Sequence, residues 1–265
     1  MTNRAAEVAI DFNDGAQYER FMGRWSRAVG AMFLDWLSPP KSARWLEVGC
    51  GTGAFTDLIL RSCEPSAIVA LDSSVQQIDW ARSRLQDERL HFQVAGADLL
   101  LFPPHSFDVV ASALVINFLA EPSGALYEMR RVARPGGSVA AYVWDFAAGR
   151  APNACLVRGL RQMGAEVPQI PGTEVSTLDG LTRLFQTTGF YDIQTTALDI
   201  TVEFDEFDDF WASQTPGFSP VTKIIASLSA SARTTLTAIV RDQAVDHEGR
   251  VAWSARANAI KARTA

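Results

Sequence analysis

Cysteine is scarce in this chain, with Cys50, Cys63 and Cys155 the only three in 265 residues. An odd, scattered set excludes a disulfide framework and a thiolate metal site, and reads as reduced intracellular thiols. Histidine is equally scarce at three, and no cluster of His, Cys, Asp and Glu suggests a metal. Basic charge is not in excess either: 24 Lys and Arg stand against 30 Asp and Glu, a net charge of -6. That balance argues against a broad basic face, so no nucleic-acid partner is expected. A long hydrophobic run is missing as well. The longest, Val109 to Ala120, is broken by Ser112 and Asn117, and a membrane span needs roughly 20 apolar residues. The opening stretch MTNRAAEVAIDFND has no signal-peptide core. These absences lead to the expectation of a cytoplasmic protein with no membrane partner. Internal repeats and low-complexity linkers are also lacking, so one domain over residues 1–265 is expected.

What is present is 48% hydrophobic residues, enough for a sizeable core. After a polar tail over 1–15, Tyr18, Phe21, Met22, Trp25, Val29, Met32, Phe33, Trp36 and Leu37 recur at helical spacing, which predicts a helix or helix pair over 16–37. Strands are predicted at Arg44–Val48, Ala67–Leu71, Leu90–Val94, Phe107–Val115 and Ser138–Trp144, with helical segments between most of them. This alternation predicts right-handed βαβ units and a parallel sheet. The second half is read as a helix over 153–163, a helix capped by Ser176 with Asp179, a strand over about 192–202, helical structure over 204–246, and a last strand over 250–261.

The chemistry-bearing segment is Glu47-Val48-Gly49-Cys50-Gly51-Thr52-Gly53, between a predicted strand and a helix. Glycines there allow a sharp turn and close ligand approach to the backbone. Gly49-x-Gly51-x-x-Ala54, with Asp72 downstream, also satisfies a relaxed dinucleotide fingerprint. A pyrophosphate at this turn would be repelled by Glu47 unless that side chain points away, which argues against a nicotinamide dinucleotide.

Four segments in order, LEVGCGTG at 46–53, ALDSS at 70–74, GADLLLFPPHSFDVV at 96–110 and VARPGGSVAAYVW at 132–144, resemble the class I, Rossmann-like S-adenosylmethionine-dependent methyltransferases. Within that class they resemble the small-molecule subgroup that includes quinone-biosynthesis enzymes, and YERFMGRWSR at 18–27 resembles the N-terminal cap of some members. The resemblance implies an α/β, doubly wound, mostly parallel seven-stranded sheet with an antiparallel last strand and helical lid insertions. It implies S-adenosyl-L-methionine as cofactor. Gly49, Gly51 and Gly53 would line its amino-acid and ribose end, and Glu47 would support its ammonium. Asp72 would take both ribose hydroxyls, and Asp98 would accept from the adenine amine beside the backbone of Ala97 to Leu99. Cys50, Ser73, Ala97 and Leu114 complete the expected contacts, with Arg24 as a candidate clamp on the cofactor carboxylate. Asp72 as a helix cap, Asp98 as a turn former and Arg24 as a solvated helix arginine are the plain alternatives.

Ligands of an open parallel sheet bind beyond the carboxyl ends of the strands. The N-terminal cap helix 16–37 and the segments 146–175 and 204–249 are expected to form a lid over a core of 42–145, 176–203 and 250–262. Phe146, Phe204, Phe207, Phe210, Trp211 and Phe218 either pack that lid or line an apolar acceptor pocket. Asn117 ends the fourth strand outside an NPPY or DPPY context, which disfavours methylation of a nucleic-acid amine. His91 and His105 are expected far from the chemistry. Asn117 and His247 are the weak catalytic candidates, His247 as a base or merely part of an exposed turn. Transfer to a small-molecule acceptor by direct displacement is the expected function. The competing readings are a non-catalytic partner or sensor on the same fold, and an NAD-type oxidoreductase. The sequence carries no reading of the acceptor's identity or of oligomeric state.

Overall fold

Strands apolar on both faces must be covered on both faces, and helices do so here. The computed structural model describes residues 15–265, so the polar tail expected over 1–15 lies, apart from Gly15, outside the described residues. The first half runs α1 (Gly15–Leu37), β1 (Arg44–Val48), α2 (Ala54–Ser62), β2 (Ala67–Asp72), α3 (Val75–Arg84), β3 (Leu90–Val94), β4 (Phe107–Ala113), α4 (Pro122–Val132) and β5 (Ala133–Trp144). The second half runs α5 (Ala154–Gln162), α6 (Leu178–Thr187), β6 (Tyr191–Phe204), α7 (Phe207–Gln214), α8 (Pro220–Ser227), α9 (Ala230–Ala244) and β7 (Val251–Arg263). The seven strands are ordered β3-β2-β1-β4-β5-β7-β6. β7 is antiparallel to both its neighbours, and the pairs from β3 across to β5 are parallel. The strand order reverses between β1 and β4, which opens the crevice where such sheets take ligands.

Alternate residues divide the interior. Trp45, Ala140, Tyr142 and Trp144 face the helices α1 and α2, in a core that also contains Trp25, Phe33 and Phe55. Leu46, Val48, Val139, Ala141 and Val143 face the opposite way, with Leu126 and Met129 of α4 and Leu181 and Phe185 of α6. Lys261 of β7 donates to the Trp36 carbonyl at 2.8 Å, which ties the end of α1 to the sheet.

Four details differ from the sequence reading. β4 stops at Ala113, because Leu114 takes a left-handed conformation (φ 63°) and turns the chain into a short 3₁₀ helix, Ile116–Phe118. Apolarity alone does not reveal that turn. β5 begins at Ala133, whose pairing with Phe107 continues into the ladder across a bulge. The cap of α6 is Thr177, whose Oγ1 accepts from the Gly180 N–H at 2.8 Å, so the expected Ser176 cap is corrected by one residue. Ser176 is buried and ties two loops, donating to the Thr173 carbonyl at 2.6 Å and accepting from the Ala147 N–H at 3.1 Å. The stretch 204–246 is three helices, divided before Pro220 and at Ser229.

Candidate functional site

The turn after β1 is built on left-handed backbone at Gly49, Gly51 and Gly53, with φ of 81°, 50° and 82°. A Cβ on Gly49 would lie 2.4 Å from Val115, so packing requires glycine there. Among the described residues a Cβ on Gly51 would meet nothing within 4 Å; the turn faces space that they leave open at that position. Asp72, at the tip of β2, holds the turn from below. Its Oδ2 accepts from the Gly51 N–H and its Oδ1 from the Ser74 N–H, both at 2.9 Å. Each carboxylate oxygen retains acceptor capacity. The cap of α3 is Ser74, which accepts from the Gln77 N–H at 3.3 Å, so the carboxylate of Asp72 is not used as that cap.

Glu47 is the least ordinary residue of the site. It lies on the apolar α1/α2 face of β1 and is fully buried. Its Oε2 accepts from the Thr56 hydroxyl at 2.6 Å, while its Oε1 has no partner among the described residues. Burial pushes its pKa up from 4.5 to about 7; the Thr56 hydrogen bond opposes this and the charge of Asp72 adds to it. A buried carboxylate oxygen without a donor calls for a cation or a hydrogen-bonding ligand. Two neighbours that sequence reasoning missed share this condition. The Thr52 hydroxyl, inside the glycine turn, and the buried Tyr142 hydroxyl on β5 both lack partners among the described residues. Burial and then the charge of Glu47 hold the Tyr142 hydroxyl well above its usual pKa. A tyrosine within an otherwise apolar strand was the available signal. The Cys50 thiol is buried and likewise raised, by burial first and then by Glu47 and Asp72.

The other expected contacts separate. Ser73 is exposed beside Asp72. The Ala95 N–H donates to the Asp72 carbonyl at 3.0 Å, which brings the segment leading to Ala97 and Asp98 alongside. There Ala97 is half-buried and Asp98 exposed. Leu114 is buried at the β4 tip, its N–H donating to the Tyr142 carbonyl at 2.8 Å. Arg24 does not join this group: its guanidinium pairs with Asp209 at 3.1 Å and lies 5.2 Å over the Phe204 ring. Asn117 is buried, and its Nδ2 reaches the Pro171 carbonyl at 3.5 Å while its Oδ1 has no partner among the described residues. The His247 side chain is 88% exposed in the turn before β7, beside Glu248. His105 contacts the Ala133 carbonyl at the foot of β5, and His91 is exposed on β3.

An apolar pocket adjoins the strand tips. Tyr18, Phe21 and Met22 of α1 form one side, Leu114, Phe118 and Trp144 the floor, and Phe146 with 151–153, 167–171 and 218–221 the remaining walls. Burial first and then the charge of Asp72 push the Tyr18 hydroxyl up in pKa. Of the six aromatic residues expected to pack a lid or line a pocket, Phe146 and Phe218 line it. Phe204, Phe207 and Phe210 are buried in the core, where Phe204 meets Trp25, Phe210 meets Trp253 and Trp211 stacks on Phe207. Among the described residues no group of His, Cys, Asp and Glu has metal-binding geometry, and no helix is long and apolar enough to cross a membrane.

Residues 46–141 match the methyltransferase domain family. The chain is 36% identical over 147 residues to a ubiquinone/menaquinone biosynthesis C-methyltransferase of Hahella chejuensis, covering 52% of this chain and 59% of that one. It is 32% identical over 134 residues to a malonyl-[acyl-carrier protein] O-methyltransferase of Paenibacillus sp., covering 49% and 46%. The chain spans from 26% to 59% of the length of the curated relatives it matches. A phosphoethanolamine N-methyltransferase 2 of Haemonchus contortus, solved with S-adenosyl-L-methionine, shares the fold with a TM-score of 0.59 at 17% identity, covering 96% of this chain and 57% of that one.

Proposed function

We propose that the chain, whose residues 46–141 match a methyltransferase domain family, transfers a methyl group from S-adenosylmethionine to a small-molecule acceptor held in the apolar pocket. The observation that carries this reading is the buried Glu47 carboxylate with its unpartnered Oε1, below a glycine turn that faces open space at Gly51. This pairing fits a ligand with an ammonium at one end and a body lying along the backbone. When bound, the cofactor would supply a sulfonium methyl to the nucleophilic atom of the acceptor and leave as S-adenosylhomocysteine, and any proton the acceptor loses would pass to bulk solvent.

The residues divide the remaining work. Glu47 neutralises the ammonium, and Thr52 and Tyr142 offer hydroxyls to the same end of the ligand. Asp72 keeps the turn in shape through Gly51 and Ser74 while its remaining acceptor sites take the ribose hydroxyls. Ser73, Ala97 and Asp98 border the adenine, and the backbone of Cys50 approaches the ribose. Leu114 separates cofactor from acceptor, and its left-handed backbone is the local strain that such a site often carries. Arg24, engaged by Asp209, has no part in holding the cofactor. The walls 167–171 and 218–221 act as the lid, aligning the acceptor and excluding water, which suffices for much of the rate of a displacement that neutralises charge. His247, exposed and outside the pocket lining, is not a base for this reaction.

The test is ligand-induced stabilisation. S-adenosylhomocysteine raises the melting temperature by mass action, and NADH does not. No shift at millimolar S-adenosylhomocysteine together with a shift on NADH overturns the proposal.

A further inference from the structure

The chain carries a net charge of -6, yet one cleft on its surface is basic. Positions 20, 24 and 27 of α1 share a helix face, and all three are arginine. Arg84, in the last turn of α3, joins them in lining a cleft of about 370 Å³. Only two acids line it, Glu19 and Asp209, against these four guanidiniums. Arg24 pairs with Asp209 at 3.1 Å, and Arg27 pairs with Glu19 across two turns of α1. Gly23 leaves room for that second pair, since a Cβ there would lie 2.5 Å from Glu19 Oε1 and 2.9 Å from Arg27 Nη2. Arg20 and Arg84 are exposed and have no carboxylate partner among the described residues. The Arg84 guanidinium lies 5.8 Å over the Trp80 ring, which steadies it. The same ring packs against the start of α1, where a Cβ on Gly15 would lie 2.6 Å from Trp80 Cγ. One side chain thus holds the cleft's two helices together.

We propose that this cleft binds a small molecule bearing a diphosphate, with one phosphoryl group on Arg20 and the other on Arg84. A guanidinium fork matches phosphoryl oxygens in a bidentate way, and a cleft lined by one sign of charge concentrates its field on an anion. Arg24 adds to the attraction, because an exposed ion pair such as its pair with Asp209 is weak and easily exchanged. A compact anion is favoured over an extended acidic chain. Asp205, Glu206 and Asp208, all exposed around the start of α7, lead up to Asp209 and repel such a chain. The cleft shares no lining residue with the apolar pocket, and its binding does not depend on the reaction proposed above. It acts on the pocket through α1, which carries Tyr18, Phe21 and Met22 on the pocket side. A ligand that joins α1 to α3 steadies that wall.

Sodium pyrophosphate, titrated by calorimetry into the protein in magnesium-free, low-salt buffer, tests this. It is expected to bind at least about tenfold more tightly than inorganic phosphate, because only the diphosphate reaches both guanidiniums. Arg20→Gln and Arg84→Gln are each expected to weaken pyrophosphate by about five- to tenfold. Arg61→Gln, an exposed arginine near the end of α2, is expected to leave its affinity unchanged. Hydrogen exchange over 15–37 should slow when pyrophosphate is added to the wild type. The proposal is overturned if millimolar pyrophosphate does not bind, if phosphate matches it, or if Arg61→Gln costs as much as the two cleft variants. Binding of hexaglutamate without binding of pyrophosphate overturns it in favour of an acidic protein segment. Tight pyrophosphate binding with unchanged exchange in α1 refutes the bridge between the helices.

Discussion

Glu47 makes the stability of the free protein depend on pH in a way that can be worked out from the structure. Burial raises its pKa from 4.5 to about 7. Between these values the folded protein holds a proton that the unfolded chain has released, so stability falls as pH rises. The contribution is fully present below about 4.5, declines through the interval and levels off above 7. Each tenfold change in proton affinity corresponds to about 1.4 kcal/mol, so the whole displacement amounts to roughly 3 kcal/mol, of which about 2 falls between pH 5.5 and 8.5. Glu47→Gln keeps the shape and cannot ionise. Its amide leaves an N–H unpaired where Oε1 was, a penalty of about 1–3 kcal/mol that does not change with pH. The informative quantity is therefore the difference between wild type and variant at the two pH values. Urea unfolding at pH 5.5 and 8.5, without ligand, should show the wild type losing about 2 kcal/mol more than the variant. Added S-adenosylhomocysteine brings a cation to the carboxylate and draws its pKa down. Wild-type affinity should then rise by up to about tenfold per pH unit below 7 and level off above it, while the variant shows a flat, weaker profile. Parallel stability profiles for the two proteins would refute the assignment of a raised pKa to Glu47.

Three other outcomes are expected. Asp72→Ala weakens S-adenosylhomocysteine by about 2–4 kcal/mol, because the ribose hydroxyls and the Gly51 N–H lose their acceptor together; an unchanged dissociation constant by calorimetry confines Asp72 to local structure. Gly51→Ala changes folding stability by about 1–2 kcal/mol, the penalty of a left-handed alanine, yet obstructs the ligand, whereas Gly49→Ala destabilises more because its Cβ enters Val115; equal effects on stability from both would contradict the open space at Gly51. In hydrogen exchange, 167–171 and 215–221 should exchange faster than β1 and β4 in the free protein, while α7 and α9, anchored by fully buried Phe210, Leu236 and Val240, stay protected; uniform protection across 204–249 would make the whole stretch part of the fixed core.

Local and periodic features were legible in the chain alone. The boundaries of β1 and β3 and most of the helices follow from apolar period and capping residues, and the glycine turn from the spacing of Gly49, Gly51 and Gly53, because each depends on neighbours a few residues away. Glu47 and Asp72, the acids flanking that turn, stand out in the sequence for the same reason. Tertiary structure decided what depends on contacts between distant segments. Arg24 lies six residues beyond Tyr18 on the same helix, yet Asp209 holds the arginine while the tyrosine faces the pocket. Leu114 leaves the sheet within an unbroken apolar run, because its amide is held by Tyr142 of another strand. Thr177 rather than Ser176 caps α6, because Ser176 is engaged by residues 173 and 147. The apolar pocket is assembled from α1, two strand tips and three loops. Hydrophobicity says that such side chains will be buried, and only the packed chain decides whether they meet one another or enclose a space.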